Sequence, residues 1–397
     1  MKIALVAQEY FPEKARGGIG TQTHMKAQGL IALGHEVFVI TRSTDEYRHE
    51  TTDGKMKVIY LPGLENGLPE MTEIVQWLTR SVSVAAEIEA LHKRVNIDIV
   101  DFPEWAAEGY TYLLNRTPWK SIPSVVQLHG PLVMFAHTMS WPEINSEFYR
   151  VGTAMESTCV RLADAVYSSS ECSANWARDH YDPGKEQIPV VHTGVDSNKF
   201  AAQPVPKNDR PTIIFIGKIV QNKGVEELVA AACNLVKDFP GLQLKMLGRG
   251  KEELIKKLQQ KAAKSGADDL LNFPGFITKD VLPDELSRAH VFAAPSYYEG
   301  GPGFVYLEAM ACGMPVIGCS GSGIDEIITT GENGVLVPPG NVAALEAALR
   351  DILNDKDYAE RLSQKAREYV IAEADSKDCL KKLETFYYSV LKPEKTI

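Results

Sequence analysis

The chain has 397 residues, and its 42 basic and 52 acidic side chains give a net charge of −10 at pH 7. This excess of acidic groups argues against a general nucleic-acid-binding protein, which would carry a basic surface. The length predicts two domains, because one hydrophobic core rarely extends over so many residues.

The sequence shows no pattern typical of an exported or membrane protein. The apolar run after Met1 is too short for a signal peptide, and no stretch of about 18 apolar residues occurs. The six cysteines include no CxxC pair and no spacing typical of a metal site. Scattered thiols of this kind indicate reduced cysteines in a cytosolic protein, so we expect a cytoplasmic location.

Short apolar runs alternate with segments of helical periodicity, which is typical of an α/β fold built on parallel sheets. A polar, proline-containing stretch at 200–211 interrupts this alternation and predicts an interdomain linker. Strands are predicted at 3–7, 37–41, 97–101, 125–129, 165–169 and 190–192, and after the linker at 212–217, 242–247, 271–273, 291–295, 315–318 and 334–337. Helices are predicted at 21–33, 72–94, 341–354, 357–373 and 376–391.

Candidate sites follow the strands, because ligands of open parallel sheets bind beyond the carboxyl ends of the strands. The glycine-rich segment 300–303 precedes a predicted helix at 304–312, where free N–H groups and the helix dipole would suit a phosphate. Glu308, one turn inside this helix, could accept hydrogen bonds from a vicinal diol such as ribose. Glu299 could contact the transferred group. The same pattern also fits a purely structural turn, with Glu308 as a partner of the helix dipole.

Two lysines follow the first predicted strand after the linker. Lys218 and Lys223 could neutralise a pyrophosphate and support a leaving group, although loop lysines are more often solvated surface groups. Gly248 and Gly250 allow close approach of the backbone to a ligand, which by itself is a weak signal. His129 ends a strand in the first half, where a lone histidine is more often structural than catalytic.

Taken in order, these motifs resemble the family of retaining GT-B glycosyltransferases, the group 1 or family 4 type. Any one motif is common, but eight in the same order are specific, and together they span nearly the whole chain. The similar segments are Gly17-Gly-Ile-Gly20, Gly34-His-Glu-Val37, His129-Gly130, Gly194-Val-Asp196, Gly217-Lys218 with Lys223-Gly224, Gly248-Arg-Gly250, Pro274-Gly-Phe276, and Ser296-Tyr-Tyr-Glu299 with Leu307-Glu308.

The resemblance implies two facing Rossmann-like domains with the donor site in the cleft between them. The N-terminal, acceptor-side domain would span 1–198, and a helix within 376–397 would pack back on it. The nucleotide-sugar-binding domain would span 199–375. The Gly194–Asp196 region and residues 200–211 would form the hinge.

The resemblance also implies roles for individual residues. Residues near the transferred sugar and the leaving group would be catalytic, namely His129, Glu299, Lys218 and Lys223. Residues that bind the nucleotide and its diphosphate would be Gly18, Lys218, Lys223, Gly248, Arg249, Phe276, Ile277, Gly303, Phe304, Val305 and Glu308. No metal ligand and no cofactor are expected, and Asp355 and Asp357 are interpreted as a helix-capping turn.

Two features depart from the family pattern. Lys218 stands where the family usually has arginine, which keeps the charge but loses the bidentate fork. Residues 300–307 separate the two glutamates, one residue more than is usual, and we place the extra residue within 300–303. The extra residue therefore bears on whether Glu299 faces the sugar.

The expected activity is transfer of a hexose, with retention, from a UDP-, GDP- or ADP-sugar to a hydroxyl acceptor. A soluble sugar or other small acceptor is favoured, because the predicted helix 72–94 has basic residues only at Arg80, Lys93 and Arg94 and so lacks a polybasic membrane face. A glycolipid or lipopolysaccharide acceptor, and an epimerase or phosphorylase on the same fold, stay open. A non-catalytic subunit is disfavoured by Lys223, Glu299 and Glu308 together. The turn at 8–12 lacks GxGxxG, which argues against a dehydrogenase, and Lys218 is followed by isoleucine, which excludes a P-loop kinase.

Overall fold

The computed structural model describes residues 1–10, 18–63, 72–117, 121–184, 187–192 and 194–391, which form two compact units. Unit 1 comprises Met1–Thr193 together with Lys377–Ile397, and unit 2 comprises Gly194–Ser376. Each unit has its own mainly parallel sheet with helices and its own buried core. The predicted α/β architecture is confirmed. No helix in the described ranges is both long and apolar enough to span a bilayer.

Among the described residues, the sheet of unit 1 has seven strands, and all neighbours pair in parallel except the third and fourth, which are antiparallel. Its central strands are nearly continuous apolar runs, as expected where helices cover both faces. In chain order the strands are β1 (Lys2–Val6), β2 (Glu36–Arg42), β3 (His49–Asp53), β4 (Met56–Leu61), β5 (Ile99–Pro103), β6 (Ser124–Leu128) and β7 (Ala165–Ser168). Across the sheet their order is β3-β4-β2-β1-β5-β6-β7.

In the part of unit 1 that the structure describes, six α-helices precede unit 2 in the chain. Two of them begin at serines whose side chains cap the first turn: Ser146 accepts from Tyr149 N and Ser170 from Ser173 N. The helices are α1 (Gly18–Ala32), α2 (Glu73–Val95), α3 (Tyr110–Leu114), α4 (Leu132–Met139), α5 (Glu147–Leu162) and α6 (Glu171–Tyr181).

The sheet of unit 2 has six strands, all paired in parallel. They are β8 (Thr212–Ile216), β9 (Gln243–Leu247), β10 (Leu271–Gly275), β11 (Val291–Ala293), β12 (Val316–Cys319) and β13 (Val335–Val337), in the order β10-β9-β8-β11-β12-β13. The chain therefore builds one side of the sheet outward from β8 and then crosses to β11. Ligands of open α/β sheets bind where the strand order reverses in this way.

Helices of unit 2 connect these strands and close the unit. They are α7 (Val225–Leu235), α8 (Glu252–Lys264), α9 (Leu282–Arg288), α10 (Phe304–Ala311), α11 (Val342–Asn354) and α12 (Lys356–Glu373). Asp355 caps α12 by accepting from Tyr358 N at 2.8 Å. The predicted capping turn is confirmed for Asp355, and Asp357 lies in the first turn of α12.

The chain returns to unit 1 through α13 (Ser376–Leu391), whose apolar face packs in the same core as α1 and β1. Its fully buried Tyr387 donates a hydrogen bond to Asp101 on β5. The ring centroids of Phe386 and of Tyr167 on β7 lie 5.1 Å apart.

Asp101 is also the centre of a buried polar network in unit 1. The Lys26 ammonium on α1 lies 2.7 Å from Asp101 Oδ2, 2.6 Å from Gln127 Oε1 and 2.8 Å from Tyr167 Oη. The Tyr167 hydroxyl also donates to Asp101 at 2.6 Å. Each of these side chains, and Tyr387, is at most 5% exposed. A buried charge pair of this kind is tolerated because every neighbour supplies a hydrogen bond.

Three sequence predictions need correction. Residues 190–192 do not form a strand, since only Val190 makes an isolated bridge, to Ser168. Neither β3 (His49–Asp53) nor β4 (Met56–Leu61) was predicted: the polar sequence of β3 gave no signal, whereas the apolar run of β4 was overlooked. The stretch 200–211 is part of unit 2 rather than a free linker. Phe200 is buried in the core of unit 2, and the backbone N–H groups of Gln203 and Asn208 donate to Ser287 and Arg288 of α9.

Candidate functional site

Three turns at the carboxyl ends of β8, β9 and β10 lie side by side in unit 2. Gly217 N donates to Leu247 O and Gly248 N donates to Gly275 O, each at 2.9 Å. Gly248 has a φ of 154°, and a Cβ at this position would collide with the carbonyl oxygen of Gly217. Glycine is therefore required where these two turns meet.

The N-terminus of α10 lies at the end of β11, across the strand-order reversal from those turns. Gly303 is its N-cap with a φ of 62°, in the left-handed region that favours glycine. The first-turn N–H groups of a helix have no partner within the helix. Here they belong to Gly303, Phe304 and Val305, which are partly exposed, so this terminus can receive an anion.

Glu308 lies in the second turn of α10 and is 1% exposed. Burial raises the pKa of its carboxyl group, while the Lys279 ammonium, which forms an ion pair with Glu308 Oε1, opposes that rise. The Lys279 Nζ also lies 5.9 Å from the ring centroid of Phe200 and 5.8 Å from that of Phe304. Sequence reasoning missed Lys279. Its only signal is its position just after the turn at Phe276 and Ile277.

Lys223 and Glu299, predicted separately, form an ion pair in which both side chains are partly buried. The Glu299 backbone is held as well, since its carbonyl accepts from Gly323 N at 2.9 Å. A Cβ at Gly323 would lie 2.7 Å from Gly301 Cα, so the segment with the extra residue packs tightly. Glu299 is thus held beside Lys223 despite the extra residue within 300–303.

The other predicted nucleotide contacts differ in exposure. Lys218 is exposed and has no side-chain hydrogen bond or ion pair within the described ranges. The exposed Arg249 guanidinium lies 5.5 Å from the Phe276 ring centroid, and Phe276 is 64% exposed. Ile277 instead packs against the core of unit 2. Arg249 and Phe276 therefore form an accessible cation–π pair next to the glycine turns.

In unit 1, His129 follows β6 directly, as predicted. Burial, together with the nearby Lys26 ammonium, lowers the pKa of its imidazole to about 3, so the ring is neutral near pH 7. Gly18 begins α1, and a Cβ there would meet no atom within 4 Å, so no steric demand for glycine is seen. The predicted motif residue Gly17 lies outside the described residues.

Glu104 holds the His129 turn and was not found from the sequence. It comes directly after β5 and is fully buried, and its Oε1 accepts from His129 N at 2.6 Å and from Gly130 N at 2.5 Å. Its Oε2 is buried without a described partner. Burial raises the pKa of Glu104 to about 7. Two and three residues later, Ala106 and Ala107 have φ values of 62° and 48°, a strained conformation for buried non-glycine residues.

We expect Glu104→Gln to alter how stability depends on pH. In the folded protein the pKa of Glu104 is raised above the ordinary 4.5 to about 7. The contribution of Glu104 to the free energy of unfolding is therefore fully present below pH 4.5 and is lost as the pH rises through 7. Between pH 6 and pH 8 the wild type should lose about 1 kcal/mol that Glu104→Gln does not lose. Thermal unfolding at both pH values measures the difference, with the exposed Glu143→Gln as control. Parallel pH profiles of wild type and Glu104→Gln would contradict the assignment.

Comparison with known proteins identifies the family of the chain. Residues 196–369 match the family described as glycosyl transferases group 1, and residues 16–199 match glycosyltransferase family 4. The α-maltose-1-phosphate synthase of Mycolicibacterium smegmatis is 32% identical over 282 residues, covering 62% of this chain and 70% of that protein.

Two solved structures share the fold over almost their whole length. Sucrose-phosphate synthase from Thermosynechococcus elongatus superposes with a TM-score of 0.82 at 23% identity, covering 98% of this chain and 99% of that one. HepE from Anabaena, solved in complex with UDP and glucose, superposes with a TM-score of 0.74 at 19% identity, covering 98% and 100%. The chain therefore belongs to the group 1 glycosyltransferases and has their GT-B fold.

Proposed function

We propose that this glycosyltransferase transfers a hexose, with retention, from a nucleoside diphosphate sugar to a hydroxyl acceptor. The observation that carries this proposal is the set of groups at the strand-order reversal of unit 2. There Lys223, the N-terminus of α10 and the buried Glu308 provide a cation, free N–H groups and a carboxylate. These are the groups that a diphosphate and a ribose require. The UDP and glucose bound by HepE support a donor of the same class.

In the proposed reaction, the bond between C1 of the sugar and the diphosphate oxygen breaks. The acceptor oxygen bonds to C1 on the same face, and its proton passes to the departing diphosphate oxygen. Lys223, Lys218 and the N–H groups of α10 stabilise the charge on the leaving group. Glu299 and the neutral imidazole of His129 hydrogen-bond to the sugar. Neither a metal ion nor a cofactor takes part in this scheme.

For the acceptor we propose a soluble saccharide. The support is an aromatic surface in unit 1, next to the His129 turn. A Cβ at Gly130 would lie 3.0 Å from the Phe135 ring, which packs edge-on against Trp105 at 5.5 Å between centroids. Trp105 in turn stacks on Trp141 at 6.2 Å, and Trp141 is 46% exposed. Exposed aromatic rings of this kind can stack on the apolar face of a sugar ring.

A glycolipid acceptor is the second candidate, and one observation favours it. Val75, Leu78 and Val82 form an exposed apolar stripe along α2. Basic groups that would assist at an anionic membrane are scarce on this helix. Arg80 is buried against Glu108, and Arg94 pairs with Glu50 and Glu87. Co-sedimentation with anionic phospholipid vesicles separates the two candidates, since binding that Leu78→Ser abolishes would favour the lipid.

Thermal unfolding with UDP, GDP and ADP and their hexose derivatives tests the donor site. One nucleotide should raise the melting temperature of the wild type by several degrees at millimolar concentration. Glu308→Ala should lose that increase, because the ribose loses its acceptor. Exposed Glu360→Ala in the same unit is the matched control. If none of these ligands raises the melting temperature of the wild type, the proposal fails.

Proton NMR of the anomeric product then tests retention.

A further inference from the structure

We propose that Lys279 is a positioning residue for the nucleotide, one that holds Glu308 ionised and oriented for the ribose hydroxyls. The inference rests on the proposed function and adds a residue that determines recognition of the ribose. Three observations carry it, namely the ion pair, the rings around the ammonium and the unequal exposure of the two partners.

The two partners of the ion pair differ in exposure. The Glu308 side chain is 2% accessible and the Lys279 side chain 41% accessible. The ammonium therefore lies on the solvent side of the carboxylate. It occupies Oε1, while Oε2 has no hydrogen-bond partner within the described ranges. A ribose that approaches Glu308 from solvent meets a carboxylate with one oxygen fixed and the other free to accept.

The ammonium is fixed by more than the carboxylate. Phe200, which is 3% exposed, precedes β8, and Phe304 is the first residue of α10, and both rings lie within 6 Å of Lys279 Nζ. An ammonium over two aromatic rings is attracted to both. Holding a long lysine side chain in one place costs conformational entropy. The contacts with the two rings offset that cost, and a lysine that only covered the surface would lack them.

The charge of Glu308 depends on this cation. A carboxyl group this deeply buried favours its protonated form, in which one oxygen carries a proton and accepts less well. Lys279 is the main group that opposes protonation, with Lys199 contributing at longer range. The Cys312 thiol interacts electrostatically with Glu308, and two cations act on that thiol: Arg367, which donates to Ala311 O at the end of α10, and Lys207, which donates to Ala289 O. Within the described ranges, none of these three groups forms a hydrogen bond with the carboxylate.

Calorimetric titration of three variants tests the inference. UDP, GDP and ADP, each with its 2′-deoxy form, are titrated at pH 6 and pH 8 into wild type, Lys279→Met, Lys279→Arg and Glu308→Gln. For the nucleotide that binds wild type, Lys279→Met should raise Kd about 10-fold at pH 8, about the effect of one lost charge-assisted hydrogen bond. The ratio of the Kd of Lys279→Met to the Kd of wild type should be larger at pH 6 than at pH 8. Without the ammonium the pKa of Glu308 is higher, so more of the variant carries a protonated Glu308 at pH 6.

Two comparisons separate positioning from general structural damage. Lys279→Met should reduce the preference for the ribo over the deoxy nucleotide, as Glu308→Gln does, and Lys279→Arg should restore it. The double variant Lys279→Met/Glu308→Gln should bind no more than about 2-fold more weakly than the weaker single variant. Exposed Lys237→Met, in the same unit, should match wild type.

The outcomes distinguish this inference from the proposed function. If wild type binds a nucleotide while Lys279→Met keeps wild-type Kd, ribose preference and pH dependence, the inference is overturned and the donor site stands. Additive losses in the double variant would also overturn it, because Lys279 would then act without Glu308. If wild type binds none of the nucleotides, the proposed function fails and the inference fails with it.

Discussion

Lys223→Met should lower kcat for nucleotide release from the donor sugar by about 100-fold or more, which is typical of losing one stabiliser of a developing charge. The ammonium of Lys223 is held beside Glu299 at the strand-order reversal, so its position is fixed before a donor binds. Because the Lys223 ammonium is already ordered, little reorganisation of the site is needed when the diphosphate departs. Because Lys223 is partly exposed, the same substitution should leave the melting temperature within about 2 °C of wild type.

Lys218→Met is the informative partner of that experiment. Its exposed side chain has no fixed position in the ligand-free protein, so we expect a loss of about 10-fold or less. Exposed Lys256→Met serves as the control in the same unit. Initial rates at saturating donor measure kcat, and calorimetry measures donor Kd. A kcat for Lys223→Met within 3-fold of wild type would remove Lys223 from the proposed reaction.

Lys26→Met should destabilise unit 1 by about 3–5 kcal/mol, because it leaves the Asp101 carboxylate buried without its counter-charge. Three hydrogen bonds of the ammonium are lost, and the side chains that accept them are buried. Exposed Lys57→Met, on β4 of the same unit, is the control. The double variant Lys26→Met/Asp101→Asn should recover part of the loss, since no unpaired charge then stays buried.

Hydrogen exchange read by mass spectrometry suits this prediction better than a single melting curve, since a chain with two units need not unfold in one step. Peptides from β1, β5 and β6 should lose protection in Lys26→Met, while peptides from β8 and β9 should keep it. Loss of protection in both units, or in neither, would contradict a network whose effect is confined to unit 1.

The sequence predicted much of the fold because most strands are short apolar runs bounded by turns. This held for all six strands of unit 2 to within a few residues and for the three final helices of the chain. It failed at His49–Asp53, a polar edge strand that pairs with β4 within the described ranges. It also overlooked β4 itself (Met56–Leu61), although that strand is an apolar run. It failed also at 200–211, where proline and polar residues suggested a linker although Phe200 is a core residue.

The site divides in the same way. Glu308, Glu299 and Lys223 follow strands, so the general rule for parallel sheets already placed them at one edge. Their partners depend on strand order, which local patterns do not contain. Lys279 meets Glu308 because the turn after β10 reaches the N-terminal half of α10, and Glu104 meets the His129 turn because β5 and β6 are neighbours. A single charged residue in a turn gives no sign of either contact.

The return of α13 to unit 1 has a consequence for synthesis on the ribosome. Unit 2 is continuous in sequence and can fold as soon as Gly194–Ser376 has emerged. Unit 1 emerges first, yet it lacks Leu380, Leu383 and the Tyr387 hydroxyl that completes the Asp101 network. The apolar side chains of unit 1 that pack against α13 therefore stay uncovered while unit 2 is made. Chaperone binding during translation should concentrate on that interval, and the first unit to emerge should be the last to become stable.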